Sequence, residues 1–136
     1  MLTQIFKSIL VLLVISSAFV ACKKDDVTIN QGPTTIVGKW VGEYGYDTES
    51  PSHYYCFNIK TNGTVQELKK SGEVLGSGTW QLVGDVFTAT VTWDPPYSST
   101  FDVTATFDQD AGTLTGVWGY APSDSDGGEW YMNKQN

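Results

Sequence analysis

Residues 86–93 read VFTATVTW, and residues 99–107 read STFDVTATF. In both segments apolar side chains occupy every second position, with threonines or an aspartate between them. Such alternation is typical of a β-strand with one buried face and one solvated face. The tripeptide Asp94-Pro95-Pro96 lies between the segments and cannot continue a ladder of backbone hydrogen bonds. The stretch therefore predicts two antiparallel strands joined by a turn.

The same alternation extends in both directions from this pair. It predicts six more strands, at residues 36–46, 53–60, 64–70, 78–83, 113–120 and 128–134. Eight strands at a spacing of about twelve residues are typical of an all-β sandwich or barrel. Every connection is short enough for a hairpin, and an open meander would leave two exposed edges. We therefore predict an eight-stranded antiparallel up-and-down β-barrel, closed between its first and last strands.

The tripeptide Gly-x-Trp recurs four times, at residues 38–40, 78–80, 116–118 and 128–130. Glycine within a strand marks a bend or a close approach of another backbone. A tryptophan two residues later points to the same face, where the space left by the glycine can receive a large ring from elsewhere. We interpret the tryptophans as core residues of a small barrel, with stacking on a ligand as the alternative.

Residues 36–40, Ile-Val-Gly-Lys-Trp, resemble the first strand of lipocalins, in which Gly-x-Trp closes one end of an eight-stranded barrel. Residues 78–85 and 112–118 resemble the lipocalin-like (calycin-type) domains of small bacterial lipoproteins. The resemblance covers most of residues 36–134 and implies a lipocalin-like barrel. Two departures stand out. Lipocalins place an arginine over this tryptophan, whereas this chain has no arginine, and it has no helical segment.

The N-terminus carries an export signal. Lys7 precedes an apolar run at residues 9–20, and Cys22 follows a small residue. This arrangement resembles a bacterial lipoprotein signal, although Phe19 stands where such signals usually have leucine. Cleavage at a nearby small residue and an N-terminal membrane anchor are the alternatives, but the run is shorter than the roughly 20 residues that a bilayer span needs. We expect a signal peptide at residues 1–21 and acylation of Cys22.

A polar segment separates this signal from the barrel. We expect the acylated cysteine and a flexible tether at residues 22–35, followed by the barrel domain at residues 36–136. Residues 23–26, Lys-Lys-Asp-Asp, resemble a tag that sends some Gram-negative lipoproteins to the cell surface, and a solvated linker is the alternative reading. The sequence thus predicts an outer-membrane lipoprotein, on the periplasmic or the cell-surface face, whose membrane partner is reached through its lipid anchor.

Composition argues against several classes of function. The chain has a formal net charge of −7 and no arginine, so it lacks the basic face that nucleic-acid binding needs. His53 is the one histidine, and Cys56 is the one cysteine besides Cys22, so a zinc site or a catalytic triad cannot be assembled. Asp124 and Asp126 lack the spacing of a calcium-binding EF-hand loop. We therefore expect no metal, no cofactor and no enzymatic activity.

Three functions remain, of which an enzyme is the least expected, because it would require a pair of Asp or Glu side chains converging in a cleft. The first is binding of a small hydrophobic or aromatic-stacking ligand, because eight strands leave room for side chains or for one small ligand. The candidate binding residues are Tyr44, Phe57, Trp93, Phe101, Trp118 and Trp130. The second is a surface protein-interaction or inhibitor module with a filled interior, which would use loops 47–52, 94–99 and 121–127. A cavity that reaches Trp118, with polar groups at its mouth, would favour the first.

Overall fold

The structure is a computed structural model and describes residues 34–136. These residues form eight antiparallel strands that pair in sequence order, and β1 also pairs with β8, so the sheet closes into a barrel. The prediction of an all-β up-and-down barrel is confirmed, and the architecture is consistent with a lipocalin-like fold. The strands are β1 Gly38–Tyr44, β2 His53–Ile59, β3 Thr64–Leu68, β4 Val74–Val83, β5 Val86–Trp93, β6 Thr100–Asp108, β7 Thr113–Tyr120 and β8 Gly128–Lys134.

The observed bounds differ from the prediction mainly at β4, which begins at Val74 rather than at Gly78. The predicted signal peptide at residues 1–21, Cys22 and the tether up to residue 33 lie outside the described residues. Within residues 34–136 no helix is long and apolar enough to cross a membrane.

The alternating pattern of β5 and β6 sorts side chains between the barrel interior and the solvent. Phe87, Ala89 and Val91 of β5 are buried, whereas the threonines between them are exposed. In β6 every second residue from Phe101 to Phe107 is buried as well. The interior is therefore a packed apolar core, which provides most of the free energy of folding.

The strand glycines allow neighbouring strands to approach closely. At Gly116 a Cβ atom would collide with the backbone of Thr104 and Ala105 on β6. Gly78 meets the backbone of β5 in the same way. The expectation that these glycines leave space for a ring from elsewhere is therefore wrong at both positions, because the neighbouring backbone already fills that space. A ring does pack against Gly127, where a Cβ would collide with the indole of Trp118.

One end of the barrel is closed by the segment before β1. Trp40 is fully buried there, and its Nε1 donates a hydrogen bond to the Ile36 carbonyl at 2.7 Å. The Lys134 Nζ lies 5.2 Å from the centroid of the Trp40 ring and donates to the carbonyls of Thr35 and Val37. Lys134 on β8 thus lies over the Gly-x-Trp tryptophan, in the place where the resemblance to lipocalins implies an arginine.

Candidate functional site: an aromatic cup with a buried carboxylate

A cavity of about 140 Å³ lies at the other end of the barrel. Seven of its nine lining residues are aromatic, and the remaining two are a serine and a glutamate. We call it the aromatic cup. Its lining residues are Tyr44, Tyr46, Tyr55, Glu67, Trp93, Ser99, Phe101, Trp118 and Tyr120.

Side-chain exposure distinguishes the mouth of the cup from its floor. Tyr46 and Tyr120 are 39% and 51% exposed, so they lie at the mouth. Tyr55 and Glu67 are 7% and 5% exposed and form the floor. The cup therefore opens to solvent between tyrosines and ends on a carboxyl group inside the barrel.

The aromatic side chains of the cup hold one another in place. The ring of Tyr44 lies 5.2 Å from that of Tyr55 and 5.7 Å from that of Trp118, both in edge-to-face contact. Trp118 is anchored because its Nε1 donates to the Gly45 carbonyl at 2.9 Å. On the opposite wall the rings of Trp93 and Phe101 are 4.7 Å apart. Because such contacts fix ring orientation, the cup is formed before any ligand arrives.

Glu67 is positioned by an interaction that crosses a whole strand. Its Oε2 accepts a hydrogen bond from Trp93 Nε1 at 2.8 Å, although β4 lies between β3 and β5. Gly76 of β4 pairs with both Glu67 and Trp93, and because it has no side chain the indole can reach across it. The register shifts beside Glu67, between its pairing with Gly76 and the next pair, Leu68 with Val74. Bulges of this kind often lie next to binding sites, where they redirect a side chain.

The environment of Glu67 opposes its charged form. Burial raises the pKa of this carboxyl group to about 7, and the Trp93 hydrogen bond acts in the opposite direction. Within residues 34–136 the one ion pair joins Lys69 to Glu73 on the surface, so no lysine neutralises Glu67. The Trp93 hydrogen bond goes to Oε2 of Glu67 and leaves the second carboxyl oxygen, Oε1, without a partner. Among residues 34–136 no fully buried side-chain oxygen lacks a partner, so Oε1 is not fully buried. It is therefore the oxygen that the cavity reaches.

Four of the six predicted ligand-binding residues line the cup: Tyr44, Trp93, Phe101 and Trp118. The other two, Phe57 and Trp130, lie deeper in the core at 0% and 1% exposure. The Trp130 Nε1 donates to the Val117 carbonyl at 2.9 Å, as expected for a structural tryptophan. The structure thus brings the first four together around one cavity and places the other two beneath it.

Sequence reasoning missed the carboxyl group at the floor. Val65 and Glu67 are two residues apart in β3 and are both buried, so alternation along this strand is the signal that could have placed Glu67 inside the barrel. The more polar composition of this strand concealed that signal. Tyr46 and Tyr120 were missed because they lie at strand ends, where periodicity no longer indicates which way a side chain points.

A larger concavity of about 450 Å³ lies on the outer face of β4, β5 and β6. Its two acidic side chains are already paired, since Thr90 Oγ1 donates to Asp102 at 2.5 Å and Thr104 Oγ1 donates to Asp124 at 2.8 Å. Each of its two acidic side chains therefore already has a hydrogen-bond partner. We take the smaller aromatic cup as the candidate site, because it combines a buried carboxyl group with aromatic walls.

No cluster of three metal-binding side chains occurs within residues 34–136. The sequence matches no protein-family model, and no curated protein matches it at a significant level. The function is therefore inferred from the chemistry of the cup itself.

Proposed function

We propose that this protein is a lipid-anchored binding protein of the bacterial cell envelope, which holds a small hydrophobic or aromatic-stacking ligand in the aromatic cup. The observation that carries the proposal is the cavity of about 140 Å³, which has aromatic walls and reaches Trp118. An engineered cavity of about 150 Å³ inside another protein is large enough to bind benzene. The cup is thus suited to one small molecule or to one end of a larger one.

The cup provides binding groups rather than a catalytic pair. Glu67 is the one carboxyl group among its lining residues, and its other polar groups are hydroxyls. Hydrolysis of a glycosidic bond, for example, uses two carboxyl groups that flank the bond. The proposed role is therefore capture or storage of a ligand, not its conversion.

The position of the chain before β1 supports anchoring with the cup accessible. The Thr34 N–H donates to the Gln109 carbonyl in the β6–β7 turn at 3.3 Å, and Lys134 holds Thr35 and Val37 nearby. The chain therefore enters the barrel at its closed end. A tether from Cys22 would therefore join the barrel at the end away from the mouth of the cup.

Native mass spectrometry of protein released from its own membrane tests the proposal. We expect a species heavier than the polypeptide by one small molecule. The Ser99→Trp variant places a large ring at the cup and should lose this species, whereas Ser77→Trp, on an exposed position of β4, should keep it. A mass equal to that of the polypeptide alone in all three proteins would refute ligand binding.

A second candidate is a surface protein-interaction or inhibitor module. The topology brings loops 47–52, 94–99 and 121–127 to the open end of the barrel, together with Tyr46, Tyr97 and Tyr120, which are 39%, 63% and 51% exposed. Tyrosine is enriched at the centres of protein interfaces. A bound protein in the same mass spectrum, retained in Ser99→Trp and lost in Tyr97→Ser, would favour this candidate.

A further inference from the structure

We propose that the ligand of the aromatic cup is a small organic ammonium ion, held by the Glu67 carboxylate at the floor and by aromatic rings around its alkyl groups. This inference depends on the proposed function, because it assigns a chemical class to the ligand of the same cavity.

The first argument is the charge of Glu67. The side chain is 5% exposed, and among residues 34–136 the single salt bridge lies elsewhere, between Lys69 and Glu73. Removing a carboxylate from water costs several kcal/mol unless an opposite charge or several hydrogen bonds compensate for it. Trp93 donates one hydrogen bond, and Oε1 faces the cavity. A cation in the cup would provide the missing compensation.

The second argument is the aromatic lining. Aromatic faces carry a negative potential and attract ammonium groups, which is why quaternary ammonium ligands are bound in aromatic cages. The rings of Tyr44, Trp93 and Trp118 approach the cavity from three different strands, β1, β5 and β7. Alkyl groups on the nitrogen would replace water against these rings, so an alkylated ammonium ion fits better than ammonium itself.

Other ligand classes fit the cup less well. An anion would meet a buried carboxylate with no basic group in the lining. A hard divalent cation needs six or more oxygen ligands, whereas the cup provides one carboxyl group and a few hydroxyls. A neutral apolar ligand would fit against the rings but would leave the Glu67 carboxyl group without a second partner. The net charge of −7 also attracts cations to the protein.

Isothermal titration with choline and with its uncharged isostere 3,3-dimethylbutan-1-ol tests the inference. The two molecules have nearly the same shape, so their difference reports the charge. We expect choline to bind the wild-type protein at least about tenfold more tightly. Equal or tighter binding of the alcohol would overturn the ammonium assignment and leave ligand binding intact, whereas no binding of either probe, together with an unliganded native mass, would refute both.

Glu67→Gln keeps the shape of the floor and removes its charge. Choline should bind this variant about tenfold less tightly, while the alcohol should bind it as it binds the wild type. The matched control is Asp85→Asn in the exposed β4–β5 turn, at the end of the barrel away from the cup, which removes one negative charge as well and should change neither affinity. A choline affinity equal to that of the wild type in folded Glu67→Gln would contradict the inference.

The wild-type protein provides a test that needs no variant. Choline should bind less tightly as the pH falls through the pKa of Glu67, about 7, whereas the alcohol should not show this loss. The titratable groups around Glu67 are the hydroxyls of Tyr44 and Tyr46 on the β1 side, of Tyr55 on β2 and of Tyr120 on β7, together with the Cys56 thiol on β2, whose pKa is raised by burial. Burial raises the pKa of Tyr44 and of Tyr55, so both stay neutral over this range.

The imidazole of His53 packs on Tyr44 and Tyr46 at the rim, with ring centroids 5.2 Å from each. The pH profile should therefore be repeated with His53→Gln. A profile that persists assigns the effect to Glu67. A profile that disappears would assign it to His53 and overturn the role of the carboxylate.

An alkylated ammonium group can belong to a free molecule or to a lipid headgroup, and sedimentation distinguishes them. The Cys22→Ser protein is mixed with vesicles of phosphatidylcholine or, as a control, phosphatidylglycerol. Sedimentation with the first alone would place the ammonium on a lipid. Choline binding without sedimentation would place it on a free small molecule. Both results require the ammonium chemistry proposed for the cup.

Discussion

The indole N–H of Trp93 on β5 donates a hydrogen bond to the Glu67 carboxyl group on β3 at 2.8 Å, across Gly76 of the intervening strand β4. The other four tryptophans donate to backbone carbonyls, those of Ile36, Lys60, Gly45 and Val117. Trp93 is thus the tryptophan whose polar group contacts a titratable side chain. A tryptophan and a titratable carboxyl group are thus joined at the floor of the aromatic cup.

The stability of the ligand-free protein should fall as the pH rises from about 4.5 to about 7. Burial raises the Glu67 pKa from 4.5 to about 7, so the folded chain holds this proton more tightly than the unfolded chain does. Stability from this group is therefore full below pH 4.5 and is lost up to pH 7, by as much as roughly 3 kcal/mol. Urea unfolding at several pH values measures it.

The wild-type pH profile includes other acidic groups, so the Glu67 contribution is the difference between the wild type and Glu67→Gln. That difference should change between pH 4.5 and 7 and stay constant above pH 7. Parallel profiles for wild type and Glu67→Gln would mean that the carboxyl group has an ordinary pKa in the folded protein.

Trp93→Phe should raise the Glu67 pKa further. The substitution keeps an aromatic ring in the cup and removes the indole donor, whose hydrogen bond stabilises the carboxylate and so lowers this pKa. The chemical shift of the Glu67 carboxyl carbon, followed by NMR as a function of pH, measures the change in pKa. Trp80→Phe is the matched control, since its indole donates to the Lys60 carbonyl at 2.9 Å, and it should leave the Glu67 pKa unchanged. A lower pKa in Trp93→Phe would refute this account.

The sequence predicted the barrel well because alternation is a local signal. Phe87, Ala89 and Val91 identify a buried face without knowledge of the neighbouring strands, and eight such segments with short turns leave few topologies. The same reasoning identified four aromatic residues of the cup. It placed Phe57 and Trp130 in the same set because an inward direction does not reveal depth along the barrel.

The contact between Glu67 and Trp93 required information that periodicity does not contain. Glu67, Gly76 and Trp93 lie in one row across three strands, and that row depends on the register of β4. The sequence placed the start of β4 at Gly78, so Gly76 lay outside the predicted strand. The partner of Trp40 was hidden for a similar reason, since Lys134 meets it through pairing of the first and last strands.

Lys134→Met should destabilise the barrel by about 1–2 kcal/mol. The substitution keeps an unbranched apolar stem of similar length and removes the ammonium group that lies over Trp40 and bonds the Thr35 and Val37 carbonyls. Chemical denaturation measures the loss. Lys134→Arg keeps the charge over the indole and should remain closer to the wild type. Lys39→Met removes an exposed charge beside Trp40 and should have little effect, so an equal loss in both methionine variants would contradict a specific role for Lys134.

Cys22→Ser should release the protein from the membrane and leave the barrel folded. Serine cannot carry the thioether-linked lipid of a lipoprotein, and two or more acyl chains are what make such anchoring stable. The barrel should be unaffected because Cys22 lies outside its eight strands, whose described core residues run from Ile36 to Met132. Cell fractionation with a carbonate wash measures the release, and choline titration of the released protein measures whether the cup still binds.

Cys56→Ser is the control, since this cysteine is fully buried in β2 and its loss should leave the protein membrane-bound. Retention of the Cys22→Ser protein after the wash would show that another element holds it at the membrane.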